Sequence, residues 1–393
     1  MNEEPLNVRR IQRWCIRIGI LFSALAAIFL FVNRAQFFVS YLFAFSFWIG
    51  LTLGSLGILM VHKLTGGLWG AVIRRILEAA IRTLPVILLF FIPLLFGLKD
   101  LYQWSRPELV HASVMLQKKQ PYLNPTFFVI RAVIYFAVWF VLFRFLDRWS
   151  LQQEETRAPE YGRKMEGVSG PGLILYGLTM TFASIDWFMS LRPDWYSTIY
   201  GLLICTGQML TGFAFSILVL FLLQRYEPVN KIVESEQFHD LGNLLLTFVM
   251  LWAYLAFSQL LIIWSGDLPE EISWYTDRLH SWVWVGLFLV IFHFALPFVT
   301  LLLRVIKKTP AYLAIIASAI LIVRWVDLYW MIAPDIHANI SVHLADFLLP
   351  IALGAFWLYR FLSTLSDRPL IATHDPNFES EEAIVRGTSH AEA

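Results

Sequence analysis

The chain has 393 residues, of which 58% are hydrophobic and 15% are charged, and its formal net charge is +1. A soluble protein of this length needs fewer apolar residues to fill its core, so the composition indicates a polytopic membrane protein and excludes a soluble globular domain. The nearly neutral charge gives no sign of a basic surface and argues against a nucleic-acid partner.

Apolar stretches long enough to cross a bilayer recur along the whole sequence. A hydrocarbon core about 30 Å thick needs roughly 20 apolar residues of helix. Continuous runs of this kind, rather than short alternating strands, predict an all-α integral membrane protein with about ten transmembrane helices. In chain order, the predicted helices are residues 14–33, 36–62, 76–98, 124–146, 170–191, 196–224, 241–265, 279–304, 311–333 and 341–365.

These helices divide the chain into three parts. Residues 1–13 form a cytoplasmic N-terminal segment, residues 14–365 the transmembrane domain, and residues 366–393 a polar cytoplasmic tail that is predicted to be disordered or bound by a partner. Most of the 30 Lys and Arg residues fall in the segments that are inside if both termini are cytoplasmic. The first apolar stretch lacks a small-residue cleavage site, so it is interpreted as a retained helix.

Two segments between predicted helices are more than 20 residues long. Residues 99–124 are amphipathic around 109–116 and predict a short helix along the outer surface. Residues 147–169 are highly charged and predict an inner loop that ends in a turn at residues 169–172. Bends are predicted at four prolines within helices, Pro85, Pro93, Pro297 and Pro350.

Cofactor ligands are scarce. Cys15 and Cys205 both lie in predicted helices and suffice for neither an iron–sulfur cluster nor a c-type haem attachment. A b-type haem between paired histidines stays an open alternative, although only His293 lies near the middle of a helix. The sequence therefore predicts no metal site and no redox centre bound by this chain, with quinone left as a possible ligand.

Ionisable residues within the helices are the functional candidates, because a charge in a bilayer costs at least about 2.5 kcal/mol. They sort by depth into an inner, a middle and an outer group. The inner group is Glu78 and Arg82, the middle is His293, and the outer group is Arg131, Asp186, Arg324, Asp327, His343 and Asp346.

Residues three or four apart share a helical face. Glu78 with Arg82 therefore predicts an internal salt bridge, and Arg324 with Asp327 predicts another. The last helix could bring His343 and Asp346 to the level of the second pair and form a four-member polar network.

Each single candidate also has a structural interpretation. His293 is the strongest candidate for a proton relay, because imidazole titrates near neutrality, but a satisfied core histidine fits equally well. Asp186 could cap a helix or anchor a loop, Arg131 could snorkel to the surface, and His343 could be an interfacial, hydrogen-bonded histidine.

Two segments carry a resemblance to a known family, TFASIDWFMSLRPDWYSTIYG (residues 181–201) and FSQLLIIWSGDLPEEISWY (residues 257–275). With the ten-helix plan, the chain resembles ActF subunits of alternative complex III, a bacterial quinol:cytochrome c oxidoreductase, within the NrfD/PsrC-like membrane subunits. The resemblance spans roughly residues 10–365 and implies two four-helix bundles, helices two to five and six to nine, flanked by helices one and ten.

The resemblance also implies partners and a location. The partners are an ActC-like paralogue, where quinol oxidation is assigned, and periplasmic iron–sulfur and multihaem cytochrome c subunits, which hold the iron–sulfur clusters and haem c. The location is the bacterial inner membrane, in contact with quinol and lipid. The ActF-like subunit is proposed to carry a proton pathway, which here would run through the inner, middle and outer groups defined above.

Three alternatives remain open. A second quinol site would use His343 or Asp186 as the proton acceptor. A structural anchor for the redox subunits would make the charged pairs inert salt bridges. A secondary transporter would need discontinuous helices at equivalent places in two halves, and the prolines are not placed in that way.

Overall fold

The computed structural model describes residues 8–372, and within that range it contains helices and no strand. Ten helices are long and apolar enough to cross a membrane, which confirms the all-α integral membrane fold and the predicted number of helices. They are α1 (Val8–Val32), α2 (Arg34–Thr65), α3 (Leu68–Phe96), α4 (Pro125–Thr156), α5 (Pro159–Leu191), α6 (Tyr200–Leu223), α7 (Ser235–Gly266), α8 (Val283–Leu302), α9 (Pro310–Asp335) and α10 (Ala345–Ser366). The side on which α1 begins is called the N-side below, and the opposite side the far side.

The helices form two four-helix bundles. In the first bundle α2, α3, α4 and α5 pack in a ring, and in the second bundle α6, α7, α8 and α9 do the same. Helix α10 packs against α2 and α3, and α1 lies on α10. The most apolar part of α2 is 89% buried and that of α6 is 78% buried, whereas that of α1 is only 17% buried. Helices α2 and α6 are therefore central, and α1 presents most of its surface outward.

The two bundles meet where α2 crosses α6 at glycines. A Cβ atom on Gly54 would lie 1.8 Å from the carbonyl oxygen of Gln208, and one on Gly212 would lie 2.7 Å from the amide nitrogen of Ser55. Both contacts are with backbone, which a side-chain rotation cannot relieve. Small residues allow helix backbones to approach closely in membranes, so these glycines set the distance between the bundles.

The prediction of a loop at residues 147–169 is wrong. Helix α4 continues to Thr156 and α5 begins at Pro159, so only a short turn with Arg157 in the left-handed conformation separates them. Charged residues with good helix propensity extend both helices beyond the apolar stretch that hydropathy detects. The predicted turn at residues 169–172 lies inside α5, where Gly172 allows close contact with the sulfur atom of Met60.

Two of the four prolines coincide with breaks in helices. Helix α3 is interrupted at Arg82 and Thr83, immediately before Pro85. Helix α8 contains a π-helical segment, Val290–Ala295, immediately before Pro297. A proline cannot donate a backbone hydrogen bond to the preceding turn, so both positions are natural sites for irregular helix. Pro93 and Pro350 lie within continuous helices.

Short helices cover the far side. The amphipathic segment forms two of them, Pro107–Ala112 and Val114–Lys119, rather than one, and they meet at Ser113, whose hydroxyl accepts from the amide of Leu116. Another short helix, Pro269–Arg278, follows α7.

The ends of the chain differ from the predicted division. Residues 8–13, assigned to the N-terminal segment, already belong to α1. After α10, Ile371 and Ala372 are buried against the bundle, although the tail was predicted to be disordered. Residues 1–7 and the rest of the tail, 373–393, lie outside the described residues.

Candidate functional site

A cluster of buried charges lies on the N-side of the first bundle. The carboxylate of Glu78 accepts from the guanidinium groups of Arg74 at 2.8 Å and Arg75 at 2.7 Å, and from the hydroxyl of Ser150 at 2.5 Å. The predicted Glu78–Arg82 salt bridge is wrong, because Arg82 ends the first half of α3 and pairs instead with Asp147 of α4 at 2.7 Å.

The cluster extends to the N-side end of α4 and to the residues that follow α10. Arg75 also pairs with Glu154, and Arg368, which follows α10, lies 3.2 Å from Asp147 and 3.6 Å from Glu78. The cluster thus holds four arginines and three carboxylates. Mutual pairing offsets the cost of burying these charges.

Arg324 and Asp327 of α9, which the sequence placed in the outer group, lie beside His293 of α8, and these three residues are called the middle group below. Arg324 and Asp327 form an ion pair, as predicted, and both side chains are at most 3% exposed. The guanidinium also approaches the hydroxyl of Thr211 at 3.4 Å. A Cβ atom on Gly207 would lie 2.3 Å from a terminal nitrogen of Arg324, so the glycine makes room for the guanidinium.

His293 is fully buried in the π-helical segment of α8, which packs against α9. Its ring stands edge-on to that of Trp252, with the ring centroids 3.8 Å apart. In the described part of the chain, neither ring nitrogen has a hydrogen-bond partner. A core histidine that serves the fold alone would have such a partner, because buried polar groups are normally hydrogen-bonded. The described contacts of His293 do not support that interpretation.

This environment leads to a prediction for stability. Replacing His293 with leucine is expected to leave the free energy of unfolding unchanged or to raise it by up to about 2 kcal/mol, because it removes two unpaired buried nitrogens. Thermal or detergent-induced unfolding of the purified chain measures this. A loss of more than about 2 kcal/mol would show that the ring makes a hydrogen bond that matters for the fold.

A small cavity joins the middle group to the interface between the bundles. Ser46 and Gly50 of α2, Gln208 and Thr211 of α6, and Arg324 of α9 line it, and it has room for about one water molecule. The side chain of Gln208 accepts from the hydroxyl of Tyr176 in α5 at 2.9 Å. Polar groups from both bundles therefore converge near the centre of the molecule.

The far side of the first bundle holds a second buried carboxylate. Asp186 accepts two hydrogen bonds of 2.8 Å from Arg131 and one of 2.8 Å from the hydroxyl of Tyr135. The guanidinium of Arg131 also lies 3.8 Å from the ring centroid of Tyr122, so Asp186 and Tyr122 together fix its position. Burial raises the pKa of Tyr122 to about 12, which keeps its hydroxyl protonated beside this pair.

Asp346 lies at the far-side end of α10 and faces α2. Its carboxylate accepts from Ser40 at 2.6 Å, from the amide side chain of Gln36 at 3.3 Å and from the backbone amide of His343 at 2.8 Å. The imidazole of His343 is hydrogen-bonded to the hydroxyl of Ser341 at 2.7 Å. His343 is thus a hydrogen-bonded residue near the surface, as its structural interpretation proposed.

The predicted network of Arg324, Asp327, His343 and Asp346 is wrong. Trp325, the neighbour of Arg324, packs on Phe43 and Phe347, with ring centroids 5.2 and 5.1 Å away. Helix α9 therefore turns its charged face towards α6 and α8 and an aromatic face towards α2 and α10, and no hydrogen bond or ion pair among the described residues links the two pairs.

Several buried charged residues were not among the sequence candidates. Arg278 lies against the ring of Trp274 at 3.6 Å and forms an ion pair with Asp335 at 3.0 Å, which fastens the helix Pro269–Arg278 to the end of α9. Burial lowers the pKa of Arg278, and the carboxylate of Asp335 opposes that shift. The spacing of Trp274 and Arg278, four residues apart, is the signal that could have indicated this contact.

Aromatic side chains fill the space between the N-side cluster and Asp186. Trp139 packs against Phe136 and Trp187, with ring centroids 5.2 and 6.1 Å away, and Phe91 packs on Trp187 at 5.4 Å. The charged groups of the first bundle therefore form two separate sites, one on each side.

The two segments that carry the family resemblance contact each other on the far side. Trp195 stacks on Trp274 with ring centroids 5.0 Å apart, and its indole nitrogen donates to the carbonyl of Glu271 at 3.0 Å. The hydroxyl of Ser197 donates to the side chain of Gln259 at 3.0 Å. These segments thus form one structural unit in the fold.

Comparison with known protein families and with curated proteins finds no match for this chain. Its functional interpretation therefore rests on its own residues. Those residues place ionisable groups on the N-side, in the middle and on the far side of a helical membrane domain.

Proposed function

We propose that this chain is the ActF-like membrane subunit of a quinol-oxidising complex of the alternative complex III type. It provides a proton pathway that is coupled to quinol oxidation in a neighbouring ActC-like subunit. Haem c and iron–sulfur clusters belong to the periplasmic partner subunits. The complex lies in the bacterial inner membrane with the N-side facing the cytoplasm. The two-bundle arrangement and the paired segments 181–201 and 257–275 support this proposal.

The observation that carries the proposal is the placement of buried ionisable groups at three depths. Glu78 lies on the N-side, Asp327 and His293 lie near the middle, and Asp186 and Asp346 lie near the far side, all at most 4% exposed. Charged groups inside a membrane are expensive and are functional candidates by default.

The middle group has the features of a proton relay. His293 has unpaired nitrogens, and Arg324 and Thr211 line a cavity with room for about one water molecule. A neutral imidazole can accept a proton on one nitrogen and release it from the other. The aromatic contacts around Trp139 and Trp187 separate the sites in the first bundle, so conduction there requires water or side-chain movement during turnover.

Coupling needs two states that bind protons differently. The break in α3 at Arg82 and the π-helical segment of α8 are two irregular parts of the membrane helices that hold ionisable residues. At these places a change in the neighbouring quinol site can alter the position of Arg82 or His293.

A structural anchor for periplasmic redox subunits is the second candidate. The observation that favours it is that Glu78, Asp186 and Asp327 each pair with an arginine. Buried carboxylates that are paired in this way can serve the fold alone.

The test of the assignment is purification of the chain from its native membranes in mild detergent. The proposal predicts that it co-purifies with c-type haem, seen by its absorption spectrum, with iron–sulfur signals in electron paramagnetic resonance, and with quinol:cytochrome c activity. Purification of the intact chain without haem, iron–sulfur signal or quinol oxidation would contradict it.

A further inference from the structure

Asp346 differs from the other buried carboxylates by its partners. Glu78, Asp147, Asp186, Asp327 and Asp335 each form an ion pair with arginine. Among the described residues, Asp346 has only neutral donors, although its side chain is 2% exposed. An arginine beside a carboxylate favours the ionised form more strongly than neutral hydrogen-bond donors do.

The hydrogen bonds around Asp346 can accommodate both protonation states. The hydroxyl of Ser40 lies 2.6 Å from the carboxylate of Asp346 and 2.9 Å from the backbone carbonyl of Gln36. If Asp346 binds a proton and donates it to the oxygen of Ser40, the serine hydroxyl can turn to that carbonyl. Neither state then leaves a buried donor without an acceptor.

A titratable group lies on the surface side of this acid. The Nε2 atom of His337 is 2.8 Å from the side-chain oxygen of Gln36, and the amide nitrogen of the same side chain donates to Asp346 at 3.3 Å. His337 is half-buried in the connection between α9 and α10, and the carbonyl of His337 accepts from the indole of Trp282 at 3.1 Å. Gln36 therefore bridges the imidazole and the carboxylate.

Two titratable side chains lie close enough to His337 to affect its pKa. The titratable groups that face it are His343, whose ring centroid is 5.8 Å away, and Asp346. Tyr329 of α9 donates its hydroxyl hydrogen bond to the carbonyl of Ser341 and not to His337. Burial lowers the pKa of His337, a neighbouring His343 lowers it further, and Asp346 raises it.

We propose that Asp346 and His337 form the far-side proton-exchange pair, bridged by Gln36, through which the pathway releases protons. That protons move outward through this pair, towards the far side, rests on the proposed function. One proton is held alternately as the carboxyl of Asp346 and as the imidazolium of His337. In the transfer, the O–H bond of Asp346 breaks and leaves its electron pair on the carboxylate, and a water molecule that enters from the far side accepts the proton, because the amide of Gln36 orients both groups but carries no proton itself. That water gives the proton to the imidazole nitrogen that is not hydrogen-bonded to Gln36, where an N–H bond forms, and the imidazolium then releases it to far-side water.

The pair can be tested on the full chain in lipid nanodiscs. Histidine is labelled with ¹³C and ¹⁵N, and the signal of His337 is identified by its loss in His337→Gln. In Asp346→Asn the pKa of His337 is expected to fall by about one pH unit, because the carboxylate that favours the imidazolium is gone. Glu270→Gln removes an exposed far-side carboxylate outside this site and should leave that pKa unchanged.

A second measurement covers the case in which Asp346→Asn does not fold. Infrared difference spectra between acid and neutral pH should show a carboxyl band in the wild type that changes in His337→Gln and not in Glu270→Gln. The proposal is overturned if the pKa of His337 is the same in Asp346→Asn, or if His337→Gln leaves every carboxyl band unchanged. Neither measurement needs quinol or partner subunits, so failure of this pair is distinct from failure of the proposed function.

Discussion

Replacing Glu78 with glutamine is expected to lower the free energy of unfolding by about 3–5 kcal/mol. The change leaves the arginines of the N-side cluster with two carboxylates, those of Asp147 and Glu154. Arg74 keeps its hydrogen bond to Ser150 but loses its ion pair with Glu78. The loss of the ion pairs between Glu78 and the two arginines is the cause of the lower stability, which chemical or thermal unfolding of the purified chain measures.

Two comparisons separate this effect from a general weakening of the fold. Glu160→Gln removes an exposed carboxylate paired with Lys164 in the same part of the molecule and should change stability by less than about 0.5 kcal/mol. The loss in the double variant Arg74→Gln/Glu78→Gln should be smaller than the sum of the two single losses, because these two side chains interact directly. Equal losses in Glu78→Gln and Glu160→Gln would show that the cluster contributes nothing specific.

Replacing Gly54 with alanine is expected to lower the free energy of unfolding by about 3 kcal/mol, even though alanine favours helix. The added methyl group would overlap the backbone carbonyl of Gln208 and push α2 from α6. Because Gln208 lines the central cavity, the same change should also disturb the middle group. The unfolding midpoint of the variant in detergent measures the effect.

Gly177 offers the matched control. It lies in α5, and a Cβ atom there would meet nothing within 4 Å. Gly177→Ala should therefore leave stability unchanged or raise it by up to about 1 kcal/mol through helix propensity. If Gly54→Ala unfolds at the same midpoint as Gly177→Ala, the α2–α6 crossing is looser than the structure indicates.

The number of membrane helices could be predicted because each crossing needs a long apolar stretch, whatever its neighbours are. Helix ends could not be predicted as well. The segment between α4 and α5 is charged but still helical, and hydropathy reports where a helix leaves the lipid rather than where it ends. The same limit applies to the break at Arg82, which depends on Pro85 and on contacts with α4.

Ion-pair partners were predictable only where both residues share one helical face. The Arg324–Asp327 pair follows from spacing, whereas Asp186 finds Arg131 on another helix. Glu78 had three possible partners at helical spacing, Arg74, Arg75 and Arg82, and the one chosen from the sequence was at the helix break. Distances between helices decide such contacts, and a single sequence does not contain them.

The far-side exchange pair shows what was missed and why. Asp346 was a sequence candidate because it is ionisable and lies in a predicted helix. His337 lies in a loop and Gln36 is uncharged, so neither met those criteria. Gln36 and Ser40 stand four residues apart in an otherwise apolar helix, and that spacing could have indicated a polar face towards a partner. What it could not indicate is that α10 supplies the partner.

The most direct test of the proton pathway is the number of protons released on the far side per quinol oxidised, in sealed vesicles that carry the whole complex. His293→Leu is the variant of choice, because it is expected to retain the fold and remove the central imidazole. Glu270→Gln is the control.

The pathway predicts that the wild type and Glu270→Gln release more protons than the quinol itself supplies. His293→Leu should oxidise quinol at a similar rate but lose that excess. Retention of the full excess in His293→Leu, or no excess in the wild type, would contradict the account and favour a structural anchor.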